Sequence, residues 1–283
     1  MYALGFPRNY FQGCGVLDRI GELINPLGSY PLLLSDTVVY KIVGKPVERS
    51  FSNWSMGFEF ARFGGECSEP EIDRLTEFSR ESDIDMVVGI GGGKTLDTAK
   101  ALAYALGYPM AMVPTIASND ASTSRVIPIY SATGEFLKPT FMDRNPDTII
   151  VDTQVIAQAP SRFLVAGMGD ALATKFEADQ CEAKGVDNFF HGLRCRAALA
   201  LADTCCELIT TYGALAKKAV EQKCVTPAVE RVVEANVLLS GLGFESCGVA
   251  AAHMMEQGFS QLGETHGYLH GEKVAFGLLV QFV

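Results

Sequence analysis

Two kinds of apolar pattern divide the chain. Up to about residue 158 the apolar residues come in short, nearly continuous runs at 31–36, 86–88, 109–113 and 148–152, each bounded by Gly, Pro or an acid. Such runs are the mark of buried parallel strands. A further strand is predicted within 56–63, and 127–130 with 135–141 predicts a hairpin. Between them, 21–25 and 95–106 read as helices. Ser68-Glu-Pro-Glu71 reads as a capping box opening a third, with Ile72, Leu75 and Phe78 at helical spacing. The first twenty residues read as a polar lead-in. Beyond Pro160 the period changes: 164–178, 191–212, 227–239 and 247–259 carry apolar positions only at 3.6-residue spacing. The pattern predicts an α/β N-terminal domain with a Rossmann-like parallel sheet, residues 1–158, followed by an all-α C-terminal domain, residues 159–283.

The sharpest local feature is Gly89-Ile-Gly-Gly-Gly-Lys-Thr95, where a β-branched run meets four glycines and then a helix former series. Glycines there let backbone N–H groups approach a phosphate, and a helix N-terminus adds partial positive charge. A P-loop is excluded, because Gly93-Lys94-Thr95 would need glycine at position 88, which is Val88. The dinucleotide pattern Gly-x-Gly-x-x-Gly also fits poorly, since Lys94 stands where the third glycine belongs. Two neighbouring features bear on the ligand. Asp36, at the tip of an apolar strand, suits the two hydroxyls of an adenosine ribose, or simply caps the next turn. Thr115, Ser118, Asp120 and Ser124 lie in the loop after the 109–113 strand, where ligands of open α/β sheets bind.

Charge and composition narrow the partners. Lys plus Arg number 23 against 33 Asp plus Glu, a net −10, and no basic run is present, which argues against nucleic acid. No apolar stretch reaches the roughly 20 residues of a membrane span, and the start has no charged region leading into a long apolar one. A cytoplasmic protein with a small-molecule substrate and no membrane partner is expected. Eight cysteines occur without a Cys-x-x-Cys pair and read as reduced, mostly core residues.

Of four histidines, His253, His266 and His270 fall within 18 residues of the helical half. Imidazole with a carboxylate suits zinc or ferrous iron. His266 and His270 are four apart, but Gly267 and Gly271 weaken a helix through both. Asp170 in Gly-Met-Gly-Asp-Ala-Leu is the most suggestive acid, read as exposed at a helix start; the alternative is a plain N-cap.

Four motifs in order, 91–100 (Gly-Gly-Gly-Lys-Thr-Leu-Asp-Thr-Ala-Lys), 114–120 (Pro-Thr-Ile-Ala-Ser-Asn-Asp), 169–173 (Gly-Asp-Ala-Leu-Ala) and 270–277 (His-Gly-Glu-Lys-Val-Ala-Phe-Gly), resemble the glycerol dehydrogenases. These belong to the iron-containing (group III) alcohol dehydrogenase superfamily, with a dehydroquinate synthase-like architecture. The resemblance implies zinc-dependent oxidation of glycerol, or a similar vicinal diol, to dihydroxyacetone with hydride transfer to NAD. It implies Asp170, His253 and His270 as the Zn2+ ligands. NAD would be held by Asp36, Gly92, Gly93, Lys94, Thr115, Ser118, Ser124, Val126 and Tyr130. Asp120 would reach toward the polyol, and His266 would serve as a proton relay. Members of the family often assemble as homo-oligomers.

Two departures from the family pattern stand out. Iron-using relatives place a histidine four residues after the metal-binding Asp; here that residue is Thr174, leaving three protein ligands, the arrangement of catalytic zinc. The family continues for several more helices, whereas this chain stops in the apolar run 278–283, so a fragment lacking C-terminal helices is expected. The alternatives are another polyol or glycerol-phosphate oxidoreductase of the superfamily, or a truncated, inactive NAD- and zinc-binding protein.

Overall fold

The first twenty residues, expected as a polar lead-in, supply the first strand, β1 (Asn9–Gly13), half-buried along its length. Asn-Tyr-Phe-Gln-Gly neither alternates nor runs apolar, and only pairing with a distant strand makes it extended. The computed structural model describes residues 1–283. A short 3-10 turn (Val16–Arg19) and α1 (Ile20–Ile24) follow, then β2 (Pro31–Ser35), α2 (Thr37–Asn53) and β3 (Glu59–Arg62). Next come α3 (Glu69–Arg80), β4 (Met86–Gly91), α4 (Gly93–Leu106) and β5 (Met110–Pro114). The antiparallel hairpin β6 (Val126–Tyr130) and β7 (Phe136–Phe141) precedes β8 (Thr148–Asp152) and α5 (Thr153–Gln158).

Six strands form one all-parallel sheet in the order β1-β8-β5-β4-β2-β3. Every residue of β2, β4, β5 and β8 is buried, which is why these strands were legible as continuous apolar runs. The chain goes outward from β2 to β3 and then returns across β2 to begin β4. The carboxyl ends of β2 and β4 therefore flank the point where strand order reverses, the place where open α/β sheets bind ligands. Asp36 follows β2 and Gly92 follows β4, and the register pairs Leu34 with Gly89.

Two local expectations give way. No helix was read over 37–53, where β-branched residues, Gly44 and Pro46 lower the propensity. Buried Val43, Val47, Ser50 and Phe51 at 3.6-residue spacing hold it against the sheet nonetheless, with Asp36 capping its start. Ser68 does precede α3, but its side chain makes no capping bond. The Glu71 carboxylate, expected to reach back to Ser68, instead accepts from the Gly64 N–H at 2.7 Å and from Arg74. A capping box needs both reciprocal bonds, and a stronger cationic partner has taken one.

Contacts divide the chain into two units: Pro7–Thr115 with Arg125–Val155, and Met1–Phe6 with Ile116–Ser124 and Ile156–Val283. The second contains α6 (Ser161–Lys184), α7 (Arg196–Glu221), α8 (Pro227–Glu234), a π-helical turn (Ala235–Leu239) and α9 (Ser240–Cys247). It ends with α10 (Ala251–Phe259), a 3-10 turn (Gly263–Thr265) and α11 (His270–Gln281). The sequence boundary near 158 gave no sign that 116–124 belongs with the helices. Side chains decide that: Asn236 Nδ2 donates to the carbonyls of Ala117 and Leu164 at 2.9 and 3.0 Å, and Thr123 Oγ1 donates to that of Val237. The segment expected as one helix over 247–259 breaks at Gly248, whose φ of +90° suits glycine. Of the cysteines, Cys67, Cys181, Cys205 and Cys247 are buried while Cys14 and Cys224 are exposed, and all are unpaired. No single helix is long and apolar enough to cross a membrane.

The turn into β4 offers a clean test of local electrostatics. Burial pushes the Asp85 carboxyl up, but donation from the Ser29 and Tyr30 N–H groups and the Ser29 hydroxyl outweighs it and holds the pKa below its usual value. A depressed carboxylate pKa contributes stability above its unfolded value of about 3.9, and loses it as pH falls through the folded value. Asp85→Asn is expected to cost about 1 kcal/mol at neutral pH by urea unfolding. The gap to the parent protein should close as the pH falls through the folded value; a gap independent of pH would contradict this account.

Candidate metal centre and nucleotide site

Helix α6 passes unusually close to α11. A Cβ at Gly271 would overlap the carbonyl oxygen of Ala166, and one at Gly169 would lie 2.7 Å from the carbonyl of Gly271. Helix α11 is equally tight against α10, where a Cβ at Gly277 would lie 2.5 Å from the Ala252 carbonyl. Ala173, Ala252, Val274 and Leu278 fill the space between the three helices. Small residues at the crossings let three backbones converge, and each contributes one polar side chain to the same point: Asp170, His253 and His270.

Asp170 is neither exposed nor an N-cap, as its neighbouring glycines suggested. It lies in the middle of α6, 1% exposed, because the helix begins nine residues earlier at Ser161. Both imidazoles turn Nε2 toward Asp170 Oδ1, each at 3.4 Å. The potential ligand atoms of the three residues all lie within 4.8 Å of one another. Neither carboxylate oxygen of Asp170 accepts a hydrogen bond. A buried carboxylate without donors costs several kcal/mol unless a cation compensates it. The separations fit one: four ligands about 2.1 Å from a tetrahedral ion stand about 3.4 Å apart. The donor set, two imidazole nitrogens and a carboxylate oxygen, is one that divalent transition metals take.

Two carboxylates that sequence reasoning missed face the other side of each ring. Glu177 Oε2 lies 2.5 Å from His253 Nδ1, and Glu256 Oε1 lies 3.3 Å from His270 Nδ1. The signals were available: Asp170, Thr174 and Glu177 follow one face of α6 at i, i+4 and i+7, and Glu256 lies one turn after His253. Burial opposes a charge on either imidazole, yet the carboxylates prevail. Glu177 and Asp170 raise His253 to about 10, and Asp170 and Glu256 raise His270 well above its ordinary value. Burial would lift Asp170 as well, but the two histidines hold it far below the carboxylate range. The carboxylates around the two rings thus favour a positive charge at this point, whether a proton or a metal ion carries it.

Asp120 belongs to the same unit, half-buried, and its Oδ2 accepts from Ser240 Oγ at 2.9 Å. Burial and the Asp170 charge push its pKa up to about 6 despite that bond. Ser240 is the first residue after the π-helical turn, and its hydroxyl also lies 3.4 Å from that of buried Thr174. His266 is placed elsewhere: it is exposed on the turn before α11, with Nε2 3.2 Å from the Ser260 carbonyl, and is not a member of the ligand cluster.

In the parallel-sheet unit, the glycine turn is tighter than a flexible loop. No glycine from 89 to 93 has positive φ. A Cβ at Gly89 would lie 2.5 Å from that of Ala99, and one at Gly91 would lie 2.8 Å from that of Thr95, so these two let α4 pack on β4. Gly92 caps α4 and Gly93 is its first residue, leaving the N-terminal N–H groups of a 14-residue helix for an anion. Thr115 is fixed by its N–H to the Gly91 carbonyl at 3.0 Å. Lys94 Nζ lies 2.5 Å from Glu66 Oε1 and 5.6 Å from the centre of the Tyr130 ring. The Val126 carbonyl accepts from the buried ammonium of Lys100 at 2.6 Å. Asp36 caps α2: its Oδ1 accepts from the Val38 and Val39 N–H groups at 2.8 and 2.9 Å. Ser118 and Ser124 are buried in the 116–124 segment of the helical unit.

The sequence profile of the iron-containing alcohol dehydrogenases matches residues 7–153. A glycerol dehydrogenase of Thermotoga maritima is 51% identical over 275 residues, covering 97% of this chain and 75% of the relative. The chain belongs to the iron-containing alcohol dehydrogenase family. Another relative within it, a glycerol dehydrogenase of Escherichia coli O6:H1, is 48% identical over 98% of this chain and 76% of its own length. The crystal structure of glycerol dehydrogenase from Schizosaccharomyces pombe superposes with a TM-score of 0.95 at 37% identity, covering 99% of this chain and 72% of that one. The fold is thus that of the family: a parallel sheet unit and a helical unit.

The helix crossings make a prediction for this family member. Gly271→Ala must displace the Ala166 carbonyl, and is expected to destabilise by about 1–3 kcal/mol and to weaken metal binding. Gly258, on α10, has nothing within 4 Å of a Cβ, and Gly258→Ala should be neutral or slightly stabilising. Denaturant unfolding and metal titration of the two variants check the contrast, and equal behaviour would overturn it.

Proposed function

We propose that this chain is an NAD-dependent glycerol dehydrogenase that oxidises glycerol to dihydroxyacetone at a zinc site. One observation carries the reading: the donor-free, buried Asp170 carboxylate faces two imidazoles at 3.4 Å, in a chain 51% identical to a glycerol dehydrogenase over nearly its full length. Zinc rather than iron is favoured by Thr174, which puts a hydroxyl where a further imidazole would be needed one turn after Asp170. A bound zinc ion supplies Lewis acidity at the reacting hydroxyl, and bound NAD supplies the hydride acceptor.

The chain's own residues account for the rest. Asp170, His253 and His270 hold the ion, and their carboxylate surroundings strengthen its binding. Asp120, fixed by Ser240, accepts a hydrogen bond from a polyol hydroxyl and orients the substrate. An acid there also disfavours a phosphorylated substrate. His266, exposed on its turn, exchanges the released proton with water. The N–H groups at Gly92–Lys94 bind the NAD pyrophosphate, with Lys94 adding charge and Thr115 bracing the turn. Asp36 takes the adenosine ribose hydroxyls. Ser118, Ser124, Val126 and Tyr130 complete the cofactor contacts.

Purified protein should form NADH from NAD and glycerol. Chelation should abolish the activity and zinc should restore it. Asp170→Asn, which keeps the shape but removes the charge, is expected to lose bound zinc and at least about 100-fold in turnover together. Full activity of that variant without metal would sink the site assignment. Binding of NAD and zinc with no turnover on glycerol or any other vicinal diol would sink the enzymatic reading.

A further inference from the structure

The two histidines of the cluster are held unequally. Glu177 is fully buried on α6. Its Oε1 accepts from the N–H groups of Ala250 and His253 at 2.8 and 3.0 Å, and its Oε2 lies 2.5 Å from His253 Nδ1. It thereby ties the first turn of α10 to α6 and holds the ring that α10 carries. Ala250, the residue at the helix start, has no capping side chain of its own, so Glu177 supplies the cap from another helix. Glu256 treats His270 differently. Its Oε1 is 3.3 Å from Nδ1 and only 2.8 Å from Lys273 Nζ, so the lysine competes for it.

The geometry assigns Glu177 as the positioning residue that locks His253 for metal binding, a task Glu256 performs only weakly for His270. The inference rests on the metal reading of the Asp170 cluster. The reason is the tautomer. An imidazole binds a cation through Nε2 only if its remaining proton sits on Nδ1, and a carboxylate at 2.5 Å, which can only accept, keeps it there. The same carboxylate fixes the ring plane through the backbone of the residue that bears it. A glutamine at 177 retains size and a carbonyl for the α10 N–H groups. Its amide can turn an N–H toward Nδ1, which moves the ring proton to Nε2 and blocks the ligand nitrogen.

The test compares Glu177→Gln, Glu256→Gln, His270→Ala and the parent protein by chelator-competition titration with Zn2+, by the absorption spectrum with Co2+, and by melting of the metal-free proteins. Glu177→Gln is expected to bind zinc about 10–100-fold more weakly and to change the Co2+ spectrum, while melting close to the parent protein without metal. Glu256→Gln should lose less affinity, and His270→Ala should lose the site. Parent-like affinity and spectrum in Glu177→Gln, with the site lost in His270→Ala, would overturn the positioning role alone. Parent-like affinity in His270→Ala would overturn the metal reading and this inference with it. A Glu177→Gln protein that loses affinity only in proportion to a large fall in metal-free melting temperature would make Glu177 merely structural, which also overturns the inference.

Discussion

A buried carboxylate with no hydrogen-bond donor is the constraint on which the helical unit turns. Asp170 is 1% exposed at the middle of a 24-residue helix, and its nearest polar neighbours are the two imidazole Nε2 atoms at 3.4 Å, too poorly placed for a hydrogen bond. Uncompensated, such a charge would oppose folding by several kcal/mol. The imidazoles of His253 and His270 meet it from two other helices, and their outer nitrogens meet Glu177 and Glu256. Alternating acid and imidazole in this way makes the cluster a receptor for positive charge.

Placing that charge in the interior demands that three helices approach closely, and the backbone permits it through small residues. Gly169, Gly271 and Gly277 stand at the crossings, with Ala173 and Ala252 beside them. The π-helical turn at 235–239 serves the same site from another side. By shifting the helical phase it turns Asn236 toward the 116–124 segment and Ser240 toward Asp120 and Thr174. Asp120 is therefore set by a loop anchored to this helical irregularity.

The nucleotide unit solves an easier problem. Its four central strands are buried on both faces, its strand order reverses between β2 and β4, and a helix of 14 residues begins where β4 ends. Phosphate binding needs only backbone N–H groups at that point, with Lys94 nearby. Much of the polar chemistry around it is already engaged within the protein: Lys94 with Glu66, Val126 with Lys100, Asp36 with the start of α2.

How much of this could be read beforehand follows from range. Strands at 31–36, 86–88, 109–113 and 148–152, and the helical second half, were legible because burial on both faces or on one helical stripe writes itself into local sequence. Strand β1 and helix α2 were not, since an edge strand exists only through its partner and α2 only through its packing on the sheet. The family resemblance named Asp170, His253 and His270, but the residues around Asp170 placed it at a helix start, because neighbouring glycines look the same whether they break a helix or admit a neighbour. The sequence alone determined the parallel sheet, the glycine turn, the short list of acids and histidines, and the absence of a third imidazole at Thr174. Only the tertiary structure decided that Glu177 and Glu256 stand behind the histidines and that Ser240 holds Asp120. Those contacts join side chains on different helices and loops, up to 120 positions apart, and no local pattern encodes the angle at which helices cross.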